Sequence, residues 1–334
     1  MKDRILYFDF LRLLATLAVV MLHLSSMAYA DATVGSMDYL IGAIYNAPTR
    51  WAVPCFVMLS GALFLNPQKE ISLKSLYGRY ILRLLVAYVI WTILYTYLFW
   101  PAFYWIKGLT PEPRHLSFLD NYPYHLWFLP MLIGVYMMVP ILRIIAANEK
   151  VTNYFLVVWL LFAVLNYIPG VVAETMALFK VRMVTGFVGY ALLGYKLSAL
   201  PKKVGKVKVM CLLLLTLVMM LVISVCMSDI EHFFDPLAPN VILFSASVFL
   251  LGKYLDGRIG GSKMLQRTIK WVREDLFGIY LIHLFYAHLV FRPHFINQIP
   301  LWIFIPLFTV VVFVMSLFTI KLLRKIPLVR YVCS

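Results

Sequence analysis

The chain has 334 residues, 63% hydrophobic and 16% aromatic, and its mean hydropathy is +0.87. That much apolar surface excludes a soluble domain, and segments of about 18 or more residues with few charges read as an all-α polytopic membrane protein. The net charge of +15 comes from 30 Lys and Arg against 15 Asp and Glu, and it is assigned to loop anchors at a membrane rather than to nucleic acid, which is excluded as a partner.

Ten transmembrane helices are predicted, at roughly 6–28, 39–65, 76–100, 124–146, 151–169, 178–198, 207–228, 237–256, 274–291 and 300–323. Barrel strands would be shorter and alternating, and no such alternation is present. No internal repeat is visible, and residues 1–334 read as a single integral-membrane domain. Orientation follows from the positive-inside rule. With both termini cytoplasmic, most of the basic residues fall on the inner side. They include Lys69, Lys74, Arg79 and Arg83, then Lys253, Arg258, Lys263, Arg267, Lys270 and Arg273, and finally Lys321, Arg324, Lys325 and Arg330.

The first span, Tyr7–Met27, carries Asp9, Arg12 and His23. A charged side chain at mid-membrane costs about 2.5–3.5 kcal/mol on insertion scales, so such residues mark function. At about 100° per residue, Arg12 and His23 differ by three turns plus about 20°, and Asp9 sits within about 60° of both. The three therefore share one face, with Arg12 and His23 about 16 Å apart along the axis. No cleavable signal peptide is expected, because charges interrupt this span and no small-residue cleavage site follows.

In the second span, Arg50 precedes Val53-Pro54-Cys55-Phe56, and Pro54 is expected to break the helix locally. Ser60-Gly61 would let a neighbouring helix approach closely, or would line a substrate path. Arg79 and Arg83 open the third span four residues apart on one face. They either snorkel to lipid headgroups or offer a pair of guanidinium forks to a phosphate. A long aromatic outer loop then leads into His125-Leu126-Trp127-Phe128-Leu129, whose rings suit either an interface belt or a sugar. His283 lies about half-way along the ninth span, with His288 after it. Glu274 and Asp275, at the inner start of that span, read as a solvated helix N-terminus.

The cysteines Cys55, Cys211, Cys226 and Cys333 form no CxxC and no Cys/His cluster, so no metal site is expected. Cys55 reads as a small buried hydrophobe rather than a nucleophile.

Taken together, these motifs resemble the acyltransferase-3 family of integral-membrane acyltransferases. Asp9, Arg12 and His23 match its opening signature. Pro54, Phe56, Ser60 and Gly61 match its Pro-Phe-x-x-x-Ser-Gly segment, with Cys55 where an aromatic or other residue is often found. Arg79 with Arg83, His125–Leu129 and Gly278–His283 follow in order, so the matches span nearly the whole chain. Leu13 departs from the small residue usual after the first-span Arg. The chain looks most similar to standalone polysaccharide O-acetyltransferases of the kind that act on enterobacterial common antigen.

The resemblance implies a multi-pass protein of the bacterial inner membrane. It would move an acetyl group from cytoplasmic acetyl-CoA, a co-substrate, to a hydroxyl of a cell-surface or lipid-linked glycan. Arg79, Arg83 and Arg12 would hold the donor phosphates. His23 would act as general base or take the acyl group covalently. Asp9 would pair with Arg12 or another arginine, and His283 is one candidate to orient His23. His125, Trp127, Arg50 and Ser60 would line the acceptor path. Membrane lipids are the remaining partners. The competing class is a proton-coupled transporter or flippase, which would also use buried His and Arg.

Overall fold

The computed structural model describes residues 5–110, 116–118, 123–167, 186–201, 205–227, 230–291 and 298–333. Parts of the predicted fifth and sixth spans and of the aromatic outer loop lie outside them. The described residues are helical throughout, without strands. In sequence the helices are α1 Leu6–Ala30, α2 Met37–Asn46, α3 Ala52–Phe64, α4 Leu73–Lys107, α5 Tyr124–Ala147, α6 Glu149–Leu165 and α7 Val188–Ala199. They continue with α8 Lys206–Cys226, α9 Ile230–Phe234, α10 Pro239–Tyr254, α11 Asp256–Gly261, α12 Lys263–Val272, α13 Leu276–Val290, α14 Leu301–Leu323 and α15 Pro327–Cys333. Six stretches are long and apolar enough to cross a membrane: α1, α4, α5, α8, α9 together with α10, and α14. The apolar α13 is shorter.

The first span forms the axis of the bundle. Helix α1 packs against α2, α3, α10, α13 and α14. It buries Leu11, Ala15, Val20 and Leu24 almost completely, and with them the polar Asp9, Thr16 and Ser25.

The predicted second span is two helices. The break lies at the 3-10 turn Ala47–Thr49, upstream of Pro54. Pro54 itself sits in the first turn of α3, where its missing N–H has no intrahelical partner to lose. The expected break at Pro54 is thus displaced by about one and a half turns.

The third span runs on past Trp100 to Lys107 in spite of Pro101. A π turn at Tyr95–Phe99 precedes that proline, and a second π turn spans Leu76–Ile81. The wider i→i+5 ring of a π turn leaves room for a residue that cannot continue an ordinary ladder.

Helices α3 and α7 make the closest approach. A Cβ on Gly61 would fall 1.9 Å from the Ala191 carbonyl oxygen, and one on Gly194 would fall 2.1 Å from that of Met58. Gly61 is therefore a backbone contact, the packing role of small residues in membranes, whereas its neighbour Ser60 faces a cavity. Gly61→Val is expected to destabilise the fold by about 3 kcal/mol or more, because rigid backbone must move. Gly134→Ala, with nothing within 4 Å of the new methyl, is expected to be neutral. Thermal melts of both variants in detergent check this.

Asp275 corrects the expectation of a solvated helix start. It is 1% exposed and pairs with Lys321 at 2.7 Å and with Arg324. Only Glu274 is open to solvent. It accepts a hydrogen bond from Arg324 at 3.0 Å. The Asp275 pair ties the start of α13 to the end of α14. Breaking a buried pair costs about 3–5 kcal/mol. Asp275→Asn is placed at about 3 kcal/mol, since both cations keep some contact with water, and the same melts measure it.

Candidate active site

Three helices bring four histidines together. His23 comes from α1, His125 from the first turn of α5, and His283 and His288 from α13. The His23 ring lies 5.2 Å from His283, 6.5 Å from His125 and 5.4 Å from Tyr124, between centroids. His125 and His283 are 5.5 Å apart, and His288 reaches the group through Tyr124 at 6.4 Å. His125 and His283 are buried, whereas His23 is only half-buried.

Backbone carbonyls fix two of these rings. His283 Nδ1 lies 2.6 Å from the Tyr280 carbonyl oxygen and His125 Nε2 lies 3.1 Å from that of Leu281. A carbonyl only accepts, so the facing nitrogen carries the hydrogen. In the neutral rings, His283 Nε2 and His125 Nδ1 are then bare lone pairs, and both are buried without a hydrogen-bond partner. Tyr95 donates to the Leu281 carbonyl at 2.9 Å, and Tyr280 donates to the His125 carbonyl at 2.5 Å. The α5 turn and α13 are thereby locked to each other around His23.

A second network holds the α1 turn that carries His23. The Asn46 amide nitrogen lies 3.0 Å from the Leu22 carbonyl and 2.9 Å from the hydroxyls of Ser25 and Ser26. Arg50 donates to the Asn46 side-chain oxygen, to the Tyr29 hydroxyl at 3.0 Å and to the Phe234 carbonyl at 3.2 Å. Its guanidinium also stacks over the Phe234 ring at 4.7 Å. Arg50 is thus engaged in bracing α1 through Asn46. Asn46 carried no motif, and its only signal was an amide in an otherwise apolar run.

Farther along α1, Arg12 donates to Asp9 Oδ1 at 2.9 Å. Asp9 is 2% exposed, while the Arg12 side chain is 32% exposed. Arg12 opens into a cavity of about 410 Å³. It is lined by Arg12, Arg83, Arg273 and Glu274, by Ser60 and Tyr136, and by Phe128 and Tyr280. Ser60 donates to the Phe56 carbonyl at 3.0 Å and lies 3.2 Å from the Tyr136 hydroxyl. Arg83 sits over the Phe277 ring at 5.5 Å. Arg79 does not line this cavity. It is exposed and lies beside Tyr80, at 5.7 Å, on the π turn that precedes Arg83. Trp127 packs against Phe187 at 5.6 Å.

The cavity and the histidines share a wall. Tyr280 lies 5.5 Å from Phe128, which lines the cavity with it, 5.9 Å from His283 and 5.9 Å from His125. No histidine lines the cavity itself. The site therefore has two compartments: an arginine-rich one suited to anions and an imidazole one suited to moving a proton, with Tyr280 between them.

An all-helical chain with membrane-length apolar helices and such an interior defines a polytopic membrane protein whose polar residues serve a site within it. The chain belongs to the acyltransferase-3 family, whose acyltransferase domain model matches residues 5–320. It is accordingly a membrane acyltransferase. No curated protein and no solved structure matches it.

Proposed function

We propose that the protein is an acyl-CoA-dependent O-acyltransferase of the bacterial inner membrane, moving an acetyl group to a hydroxyl of a cell-surface or lipid-linked glycan. The chain crosses the bilayer ten times in this reading, with both termini in the cytoplasm. The observation that carries the proposal is the pair of compartments meeting at Tyr280. Donor phosphates are too charged to enter a bilayer, and Arg12 and Arg83 hold them at the cytoplasmic end. The largely uncharged pantetheine arm occupies the cavity, and its thioester passes the Phe128–Tyr280 pair to reach His23. The half-buried imidazole of His23 meets the acceptor arriving from the other side.

In the reaction, the acceptor oxygen forms a bond to the thioester carbonyl carbon while its proton passes to a nitrogen of His23. The tetrahedral intermediate collapses with cleavage of the C–S bond. The departing thiolate takes the proton back from the imidazolium, giving free CoA and the O-acetyl product. His283 and His125 are positioning residues beside His23, held by their own carbonyl bonds. Tyr124, exposed and 5.4 Å from His23, faces the acceptor, and Trp127 borders that path.

The test is purified protein in vesicles with labelled acetyl-CoA and candidate glycans. Stoichiometric CoA release with label on the glycan supports the proposal. Movement of a glycan across the vesicle without CoA release would establish a transporter instead.

A further inference from the structure

Arg273 lines two hollows. One is the cavity of Arg12 and Arg83. The other, of about 250 Å³, lies between Leu6 at the start of α1 and helix α12, and it is bordered by Lys263, Arg267 and Lys270. These three cations are spaced i, i+4, i+7, so they form one stripe along α12, and Arg273 continues it three residues on. Val272, on the far side of α12 from the stripe, is buried, and the buried Ile269 lines the hollow beside the cations.

Among the described residues no carboxylate pairs with any of these four cations. The acid nearest in sequence to Arg273, Glu274, is held by Arg324. Arg273 Nε is buried without a hydrogen-bond partner. Like charges four apart on a helix destabilise it, and a phosphate between them reverses that sign.

We propose that this second hollow receives the 3′-phosphoadenosine end of the acyl-CoA donor. Lys263, Arg267 and Lys270 face the 3′-phosphate, and Arg273 stands at the junction where the pyrophosphate turns into the cavity. The inference rests on the acyl-CoA reading above and adds the part of the donor that the cavity of Arg12 and Arg83 does not hold. The apolar lining of the cavity suits the pantetheine arm and its arginines suit the pyrophosphate, which leaves the 3′-phosphate to the stripe. A lipid headgroup presents the same phosphate chemistry, so the experiment must separate the two.

The experiment uses the full chain in nanodiscs of phosphatidylcholine alone. Binding of CoA and of 3′-dephospho-CoA is compared for wild type and for a variant carrying Lys263→Gln, Arg267→Gln and Lys270→Gln together. Wild type is expected to bind CoA at least about tenfold more tightly than 3′-dephospho-CoA, or about 1.4 kcal/mol. The variant is expected to lose that preference while binding 3′-dephospho-CoA as wild type does, which also certifies its fold. Equal binding of the two ligands by wild type, or a preference retained by the variant, would overturn the proposal. So would an effect of the substitutions seen only when anionic lipid is added and equal for both ligands, which would make the stripe a headgroup site. A wild type that releases CoA onto a glycan yet ignores the 3′-phosphate sinks this inference and leaves the enzyme reading intact. A wild type that neither binds CoA nor releases it from acetyl-CoA sinks both.

Discussion

His23→Ala is expected to abolish acyl transfer, with kcat falling by about 10²–10⁴-fold, the usual contribution of a positioned general base. The protein should still insert and melt near the wild-type temperature, because His23 is half-buried and no hydrogen bond to its ring is made among the described residues. The loss should fall on kcat rather than on donor affinity, since the cavity lined by Arg12 and Arg83 does not include His23. His283→Ala should be milder. Its ring is 5.2 Å from His23 and acts through that neighbour. Single-turnover assays with labelled acetyl-CoA, beside donor-binding measurements on the same samples, check both variants. A His23→Ala protein that transfers acetyl at near wild-type rate would remove the imidazole from the mechanism.

Arg83→Ala and Arg79→Ala are expected to differ. Arg83 lines the cavity and stacks over Phe277, whereas Arg79 is exposed. A charge-assisted contact to phosphate contributes about 1.5–3 kcal/mol. Arg83→Ala should therefore weaken acyl-CoA binding by about tenfold to a hundredfold, while acceptor affinity stays unchanged. Arg79→Ala should change donor binding by less than about threefold, as expected of an exposed cation screened by solvent. Equal effects of the two substitutions would mean that the cavity is not the phosphate site. An effect confined to the acceptor would reverse the assignment of the two compartments.

The difference between these two arginines also marks where sequence reasoning stops. Four-residue spacing places Arg79 and Arg83 on one face of an ordinary helix. The π turn over Leu76–Ile81 changes the register between them, and nothing local in Leu-Tyr-Gly-Arg-Tyr-Ile announces it. By contrast, the face shared by Asp9 and Arg12 was legible, because α1 is regular from Leu6 to Ala30 and helical period alone fixes the angle. The apolar stretches were legible as helices for the same reason. The Pro54 break was misplaced because a proline in the first turn of a helix is tolerated, and only the position of the preceding turn decides which case applies.

Contacts between distant segments were the least legible. His23, His125 and His283 lie on three helices, and periodicity within one helix says nothing about which faces meet. Asn46 was missed because its partners, Leu22, Ser25 and Ser26, lie more than five turns of chain away. Asp275 was read as solvated because its cations come from α14, some fifty residues on. Arg273 was counted among the loop anchors, although it borders the same cavity as Arg12. Ser60 and Gly61 presented one open alternative, packing or lining: Gly61 packs on the Ala191 backbone and Ser60 borders a cavity, a division between neighbours that helical period alone does not show.

The decisive measurement is a sided transfer assay. Protein is reconstituted in one orientation in sealed vesicles, labelled acetyl-CoA is supplied only on the face carrying Arg12 and Arg83, and the glycan acceptor only on the other. The two-compartment account predicts label on the acceptor with equal release of CoA on the donor side, and no transfer by His23→Ala. Transfer that occurs only when donor and acceptor share one face, or acceptor movement with no CoA released, would contradict it.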